Sequence, residues 1–195
     1  QISADTEPPT VDAIPPQMEW TNKDIKVNVI AMDNGISGIK EVKYAWSTST
    51  AKPTSWKTTT EDNFFTTQTN QGVYYLHMEA WDNAGNSFYR YRGPYKIDKT
   101  PPTVDCNPTT FKAESSIKVN VKASDTGGSG LKNVKYAWTT STAKPSSWAT
   151  TISSNFDTTV NKDGIYYLHM EAWDNAGNSF YRYRGPYKID KTPPT

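Results

Sequence analysis

YYLHMEAWDNAGNSFYRYRGPYKIDKTPPT, Tyr74 to Thr103, decides how this chain is read, because the same thirty residues return from Tyr166 to Thr195. The offset of 92 extends backwards from the block: IKVNV at Ile25 to Val29 matches Ile117 to Val121, KYAW at Lys43 to Trp46 matches Lys135 to Trp138, and Asn63 and Phe64 match Asn155 and Phe156. One residue is lost further upstream, since PPTVD begins at Pro8 and again at Pro101, 93 residues apart. Solenoid repeats run to roughly 20–45 residues, so a repeat of this length is a whole domain. The chain is therefore read as two tandem domains, residues 1–98 and 99–195, with a linker over 98–103 at the junction.

Inside the block, Tyr74, Leu76, Met78 and Ala80 share one face of a strand, and Tyr75, His77, Glu79 and Trp81 share the other. DNAG then turns the chain into a hairpin whose second strand is SFYRYRGPYKID, with Gly85 free to take positive φ. Pairing Asp82 with Ser87 sets Ala80 against Tyr89 and Met78 against Tyr91 inside, and Trp81 against Phe88, Glu79 against Arg90 and His77 against Arg92 outside. A slip that places Arg90 opposite Ala80 buries a guanidinium, which costs several kcal/mol when unpaired, against about 0.2–1 kcal/mol between alternative cross-strand pairs. The first register is the expected one.

Upstream, Ile25, Val27, Val29 and Ala31 alternate with Lys26, Asn28, Ile30 and Met32. The second copy supports this facing, since Ile30 becomes Lys122 and Met32 becomes Ser124 while the other side stays apolar. DNGISG at Asp33 to Gly38 is a turn, Val42, Tyr44 and Trp46 line the inner side of the next strand, and STAKPTSW at Ser49 to Trp56 is a loop. Six or seven short strands without helical periodicity predict an all-β chain: two immunoglobulin-like antiparallel β-sandwiches joined by a short Pro-rich linker. Tyr74 stands where a tyrosine corner would.

Composition agrees with small, aromatic-filled cores. Aromatics are 13% of the chain, and six of the 7 Trp form matched pairs across the repeats, Trp20 being unmatched. A net charge of +1, with both signs interspersed, gives no footprint for nucleic acid or an anionic membrane. No apolar run is long enough for membrane insertion, and the single Cys106 has no intramolecular disulfide partner. ADTEPPT near the start echoes IDKTPPT, so the chain reads as a segment of a longer array.

The motifs PPTV, SG-[IL]-x-x-V-x-Y-x-W, G-x-YYLH-x-x-A-x-D-x-AGN and GPYKID-K-TPP, in this order and twice over, resemble the bacterial immunoglobulin-like repeats of large Gram-positive surface proteins. The resemblance implies an extracellular, cell-surface setting, with neighbouring Ig-like repeats of the same chain as partners. It also implies a role in attachment. Similar repeats serve as stalks, or occur in proteins that bind host glycans or host proteins, immunoglobulins included.

Within this frame the candidate ligand-binding strip is the outer hairpin face: Tyr75, His77, Trp81, Phe88, Arg90 and Arg92, with Tyr167, His169, Trp173, Phe180, Arg182 and Arg184 in the second copy. Trp, Tyr and Arg are enriched at binding hot spots, and contiguous exposed apolar patches are uncommon on soluble proteins. His77 and His169 are otherwise surface residues, and FYRYRGPY reads as an ordinary edge strand. Asp33 with Asp82, and Asp125 with Asp174, end neighbouring strands and are read as turn residues; a minor alternative makes them calcium ligands. Lys26, Asn28, Lys118 and Asn120 face outward, which argues against an intramolecular isopeptide bond. With no catalytic constellation the expectation is no enzyme and no cofactor. Two functions follow: binding of a host protein or glycan by the hairpin face, or a passive spacer that projects a distal domain.

Overall fold

The computed structural model describes residues 4–195. The chain divides into two compact units, Gln1–Asp98 and Lys99–Thr195; Gln1, Ile2 and Ser3, with which the first expected domain begins, lie outside the described residues. The first unit contains β1 (Thr10–Ile14), β2 (Met18–Thr21), β3 (Ile25–Met32), β4 (Ile39–Ser47), β5 (Lys57–Thr59), β6 (Asn63–Gln68), β7 (Gly72–Asp82) and β8 (Ser87–Ile97). The second repeats them as β9 (Thr103–Asn107), β10 (Phe111–Ala113), β11 (Ile117–Ser124), β12 (Leu131–Thr139), β13 (Ala149–Thr151), β14 (Asn155–Val160), β15 (Gly164–Asp174) and β16 (Ser179–Ile189). Each unit packs a three-stranded sheet, β1-β3-β6 or β9-β11-β14, on a five-stranded sheet, β2-β8-β7-β4-β5 or β10-β16-β15-β12-β13.

Two details depart from the expected sandwich. Eight strands appear where six or seven are expected, because β2 and β5 are too short, at 4 and 3 residues, to leave a period-two signature. The sandwich is also not wholly antiparallel. β2 runs parallel to β8, with Met18 opposite Tyr95 and Thr21 opposite Ile97. Pro15 to Gln17 carry the chain from β1 in one sheet to β2 in the other, so a sheet switch replaces a hairpin here.

The core lies where the alternation places it. Ile25, Val27, Val29 and Ala31 of β3 pack against Val42 of β4 and Leu76, Met78 and Ala80 of β7. Trp46 sits edge-on to the buried Tyr95 at 5.2 Å and donates its indole N–H to Thr66 Oγ1 at 2.9 Å. The same arrangement holds for Trp138, Tyr187 and Thr158. Tyr74 Oη donates to the Gln71 carbonyl at 3.0 Å, three residues upstream, as a tyrosine corner does. Asn28 turns outward to Asn63 and the Phe64 carbonyl, and Lys118 outward to Asp157.

The late hairpin takes a different register from the expected one. Near its open end Tyr74 pairs with Tyr95, as expected, but beyond a shift between Tyr74 and Leu76 the pairs are Leu76 with Arg92, Met78 with Arg90, Ala80 with Phe88 and Trp81 with Ser87. β8 carries one extra residue at Gly93–Pro94, a β-bulge. Gly93 has φ of 135°, donates its N–H to the Pro16 carbonyl instead of to β7, and leaves no room for a Cβ, which would stand 2.9 Å from the Tyr74 carbonyl oxygen. Past the bulge the faces exchange. Phe88, Arg90 and Arg92 turn toward the core side, and Tyr89 and Tyr91 turn outward. The hairpin tip follows, with Asp82 N–H bonded to the Asn86 carbonyl across a three-residue loop whose last residue, Gly85, has φ of 95°.

The penalty that argued against inward arginines is removed by Asp12 together with the access of both side chains to water, at 34% and 36% exposure. Arg92 Nε and Nη2 donate to its two carboxylate oxygens at 2.7 and 2.9 Å, and Arg90 Nη1 reaches the same carboxylate at 2.8 Å. Arg90 also lies over the Phe88 ring at 5.1 Å. In the second unit Asp105 binds Arg184 and Arg182 in the same way. The hydrogen bond from Arg92 holds the Asp12 carboxyl below the usual carboxylate range, against the opposing effect of partial burial, and the charges of both arginines add to it.

Two outcomes are expected. Gly93→Ala should cost roughly 2–3 kcal/mol of unfolding free energy through backbone strain and the clash with Tyr74, whereas Gly85→Ala, whose Cβ meets nothing within 4 Å, should cost only about 1 kcal/mol; equal losses in denaturant titrations would contradict the bulge assignment. Because the folded pKa of Asp12 is depressed, its contribution is present above the unfolded value near about 3.9 and is lost as pH falls through the folded value. Asp12→Asn should therefore lower stability by roughly 1 kcal/mol at pH 7, a figure kept small by exposure to water. Thermal melts at pH 7 and about pH 2 should show the difference shrinking in acid.

Candidate functional site

The bulge decides which side chains form the outer face of the five-stranded sheet. β7 contributes Tyr75, His77, Glu79 and Trp81, β8 contributes Tyr89 and Tyr91, and β4 contributes Lys43 and Ala45, with Lys43 opposite Glu79 and Ala45 opposite His77. The Pro-bearing loop 48–56, between β4 and β5, returns over this face. Its Ser49 carbonyl lies 2.8 Å from His77 Nε2, its Lys52 reaches Glu79 Oε2 at 2.5 Å, and its Trp56 packs edge-on to Tyr89 at 6.3 Å.

His77 is fully buried by this cover. A carbonyl only accepts hydrogen bonds, so Nε2 carries the hydrogen toward Ser49, and on the other side of the ring Nδ1 is hydrogen-bonded to Tyr89 Oη at 2.8 Å. Tyr89 stacks nearly parallel to the imidazole at 6.1 Å, and Lys52 lies over the tyrosine ring at 4.8 Å. Burial pushes the Tyr89 hydroxyl pKa upward. Glu79 is also buried, which by itself would raise its pKa; hydrogen bonds from Lys52 and the Trp81 indole N–H outweigh that and leave the carboxyl below its ordinary value. Lys43 lies over the Trp81 ring at 5.6 Å. The second unit repeats the network with His169, Tyr181, Ser141, Lys144, Glu171 and Trp173.

The expected strip is therefore divided between two faces. Tyr75, His77 and Trp81, with Tyr167, His169 and Trp173, lie on the outer face; Phe88, Arg90 and Arg92, with Phe180, Arg182 and Arg184, lie on the core side of β8 and β16. His77 and His169 are buried and bonded to tyrosine, not exposed opposite arginine, because the bulge replaces Arg92 by Tyr91 and the loop covers the ring. Glu79, Tyr89, Tyr91 and Lys52 were missed. The available signals were a glycine inside a strand, which marks a bulge, and a loop repeated with its Lys and Trp in place. On this face the outermost large side chain is Tyr91, 43% exposed and held edge-on to Tyr75 at 6.0 Å; Tyr183 repeats it.

At the opposite end of the first hairpin, Asp33 and Asp82 are joined by a third carboxylate, Asp5, with ligand atoms of all three within 4.8 Å of one another. Such a set offers three of the six to eight oxygens that calcium takes. Each carboxylate also has donors from the domain: Asp33 from Gly35 and Gly38 N–H, Asp82 from Ala84 and Asn86 N–H, and Asp5 from Ser37 N–H and hydroxyl. The Ser37 hydroxyl lowers the Asp5 pKa. For Asp82, burial acts upward and the Asn86 hydrogen bonds outweigh it. Asp125 and Asp174 accept from Gly130 N–H and from Ala176 and Asn178 N–H in their own turns. The sequence hint to Asp5 is its recurrence three residues before the double proline, as Asp98.

Comparison with known proteins agrees with this architecture. The model of the bacterial Ig-like domain matches residues 21–91 and 110–182. By sequence, no curated protein matches. Among solved structures, the fibronectin(III)-like modules of Clostridium thermocellum CbhA align at 13% identity and a TM-score of 0.44, covering 95% of this chain and 98% of that one. The Escherichia coli adhesin FdeC aligns at 13% identity and a TM-score of 0.45, covering 96% of this chain and 66% of that one. A chain from the complex of Dpr2 Ig1-Ig2 with DIP-Theta Ig1-Ig3 aligns at 9% identity and a TM-score of 0.37, covering 94% of this chain and 65% of that one. Two family matches, one over each repeat and together more than half of the residues, place the chain in the bacterial Ig-like domain family.

Proposed function

We propose that the two domains serve as spacer repeats of an extracellular bacterial attachment protein, holding other parts of that protein away from the cell surface. One observation carries this reading: the hairpin face that looked like the recognition surface is covered by its own domain. His77 and Glu79, its polar centre, are buried and bonded to loop 48–56 and to neighbouring strands. Polar groups satisfied in this way stabilise a module, and a ligand would have to displace them at a cost of about 1–3 kcal/mol for each group left unpaired. Extracellular placement accords with the family. Among the described residues no helix is long and apolar enough to cross a membrane.

A second reading rests on Tyr91 and Tyr183. Each presents part of its ring to solvent beside a half-buried tyrosine, and such a pair can stack on a sugar face or on a host protein, immunoglobulin included. Two copies on one chain would add avidity.

The readings separate in a pulldown from serum proteins and a glycan array, with the two-domain chain and its Tyr91→Ala/Tyr183→Ala variant. The spacer reading expects no capture by the wild-type chain above that of an unrelated Ig-like pair; specific capture that disappears in the variant would overturn it in favour of the second. The cover itself is testable. His77→Ala should cost roughly 2–3 kcal/mol, since it leaves a cavity and strands the Ser49 carbonyl and Tyr89 hydroxyl. Lys52→Ala should speed amide exchange across residues 48–56, and rapid exchange there already in the wild type would remove the basis of the spacer reading.

A further inference from the structure

The two domains differ most clearly on the outer face of the three-stranded sheet. In the first domain this face carries Ile14 of β1, Ile30 and Met32 of β3 and Phe65 of β6. Ile14, Met32 and Phe65 are 60%, 62% and 61% exposed, so none of the described residues of their own domain covers them. The register makes them neighbours: Ile14 and Phe65 flank Asn28 from either side, and Ile30 and Met32 follow along β3. In the second domain the equivalent positions are Asn107, Lys122, Ser124 and Asp157, all polar and exposed. Four outward apolar residues have thus become four polar ones, while the inward apolar residues of the same strands stay apolar, with Cys106 in place of Ala13, and the inward Gln68 is replaced by Val160. The fold does not require the apolar set, because the second domain forms the same sheet without it.

The charges around this patch indicate what it fits. At one end Lys26 is exposed, its Nζ 4.4 Å over the Phe65 ring. At the other end, beside the last residues of β3, exposed Glu61 and Asp62 lead into β6, and the Asp62 carbonyl accepts from Ala31 N–H. The face is basic at one end and acidic at the other, and its apolar residues lie between, interleaved with Asn28, Asn63 and the arginine-paired Asp12. A twofold axis lying between two such faces, and running across their strands, sets the Lys26 end of one copy against the Glu61 and Asp62 end of the other and lays Phe65 over the row that holds Asn63 and Ile30. Sheets stack face to face about 10 Å apart, a spacing that these side chains fill. We propose that the outer face of β1-β3-β6 in the first domain is a self-association surface that takes a second copy of this chain through an isologous contact.

The test is sedimentation velocity of the full chain over about 1–500 μM, beside Ile30→Lys/Phe65→Asp, which installs the residues the second domain already carries in the same fold. The wild-type chain should shift from monomer to dimer with concentration, and the variant should associate at least about tenfold more weakly with unchanged circular dichroism. Raising the salt to about 1 M should weaken association further, since the end charges are exposed. A wild-type chain that stays monomeric throughout, leaving the face to some other occupant, overturns the proposal. So does a dimer that the double substitution leaves intact.

Discussion

The inserted residue at Gly93–Pro94 governs each face of the late hairpin. Above it a strand of strict alternation becomes its own mirror: the residues that would have entered the core look outward, and those that would have met water lean inward. The inward set is tolerable because Asp12, on the opposite sheet, receives both arginines, so the bulge in β8 and the carboxylate in β1 form one arrangement. Neither makes sense alone. A bulge without Asp12 would leave two partly exposed guanidinium groups without their carboxylate, and Asp12 without the bulge would face no cation there.

The same shift creates the outer network. By setting Tyr89 beside Glu79 and Tyr91 beside His77, it supplies the hydroxyl that satisfies the imidazole and the ring over which Lys52 lies. Loop 48–56 can then close with its carbonyl and its ammonium both paired. A polar network at this depth stabilises a single arrangement only if every member is matched. Here the imidazole, carboxylate and indole each have a partner.

Much of the fold was legible in the residues. Repetition fixed two domains, alternation in β3 and β4 fixed which residues enter the core, and Tyr74 and Trp46 took the places that their positions suggested. What failed had a common cause in non-local contacts. The register was judged on the cost of an unpaired arginine, and the partner that removes this cost lies 80 residues away in the sequence. The histidines looked exposed because a loop 28 residues away, rather than a strand neighbour, buries them. Asp5 was invisible for the same reason, since its hydroxyl donor Ser37 is 32 residues away. Pattern reading captures neighbours along a strand; a partner brought in by tertiary folding leaves only indirect marks, such as the glycine in β8.

The covering loop also bears on resistance to proteolysis. Its sole basic residue between Thr48 and Trp56 is Lys52, and the next residue is Pro53; in the second domain Lys144 precedes Pro145. Serine proteases that cut after lysine or arginine require a peptide bond whose following residue is not proline. This long connection of each domain thus presents such a protease with a basic side chain but no cleavable bond, so an excursion from the sandwich need not become its point of digestion.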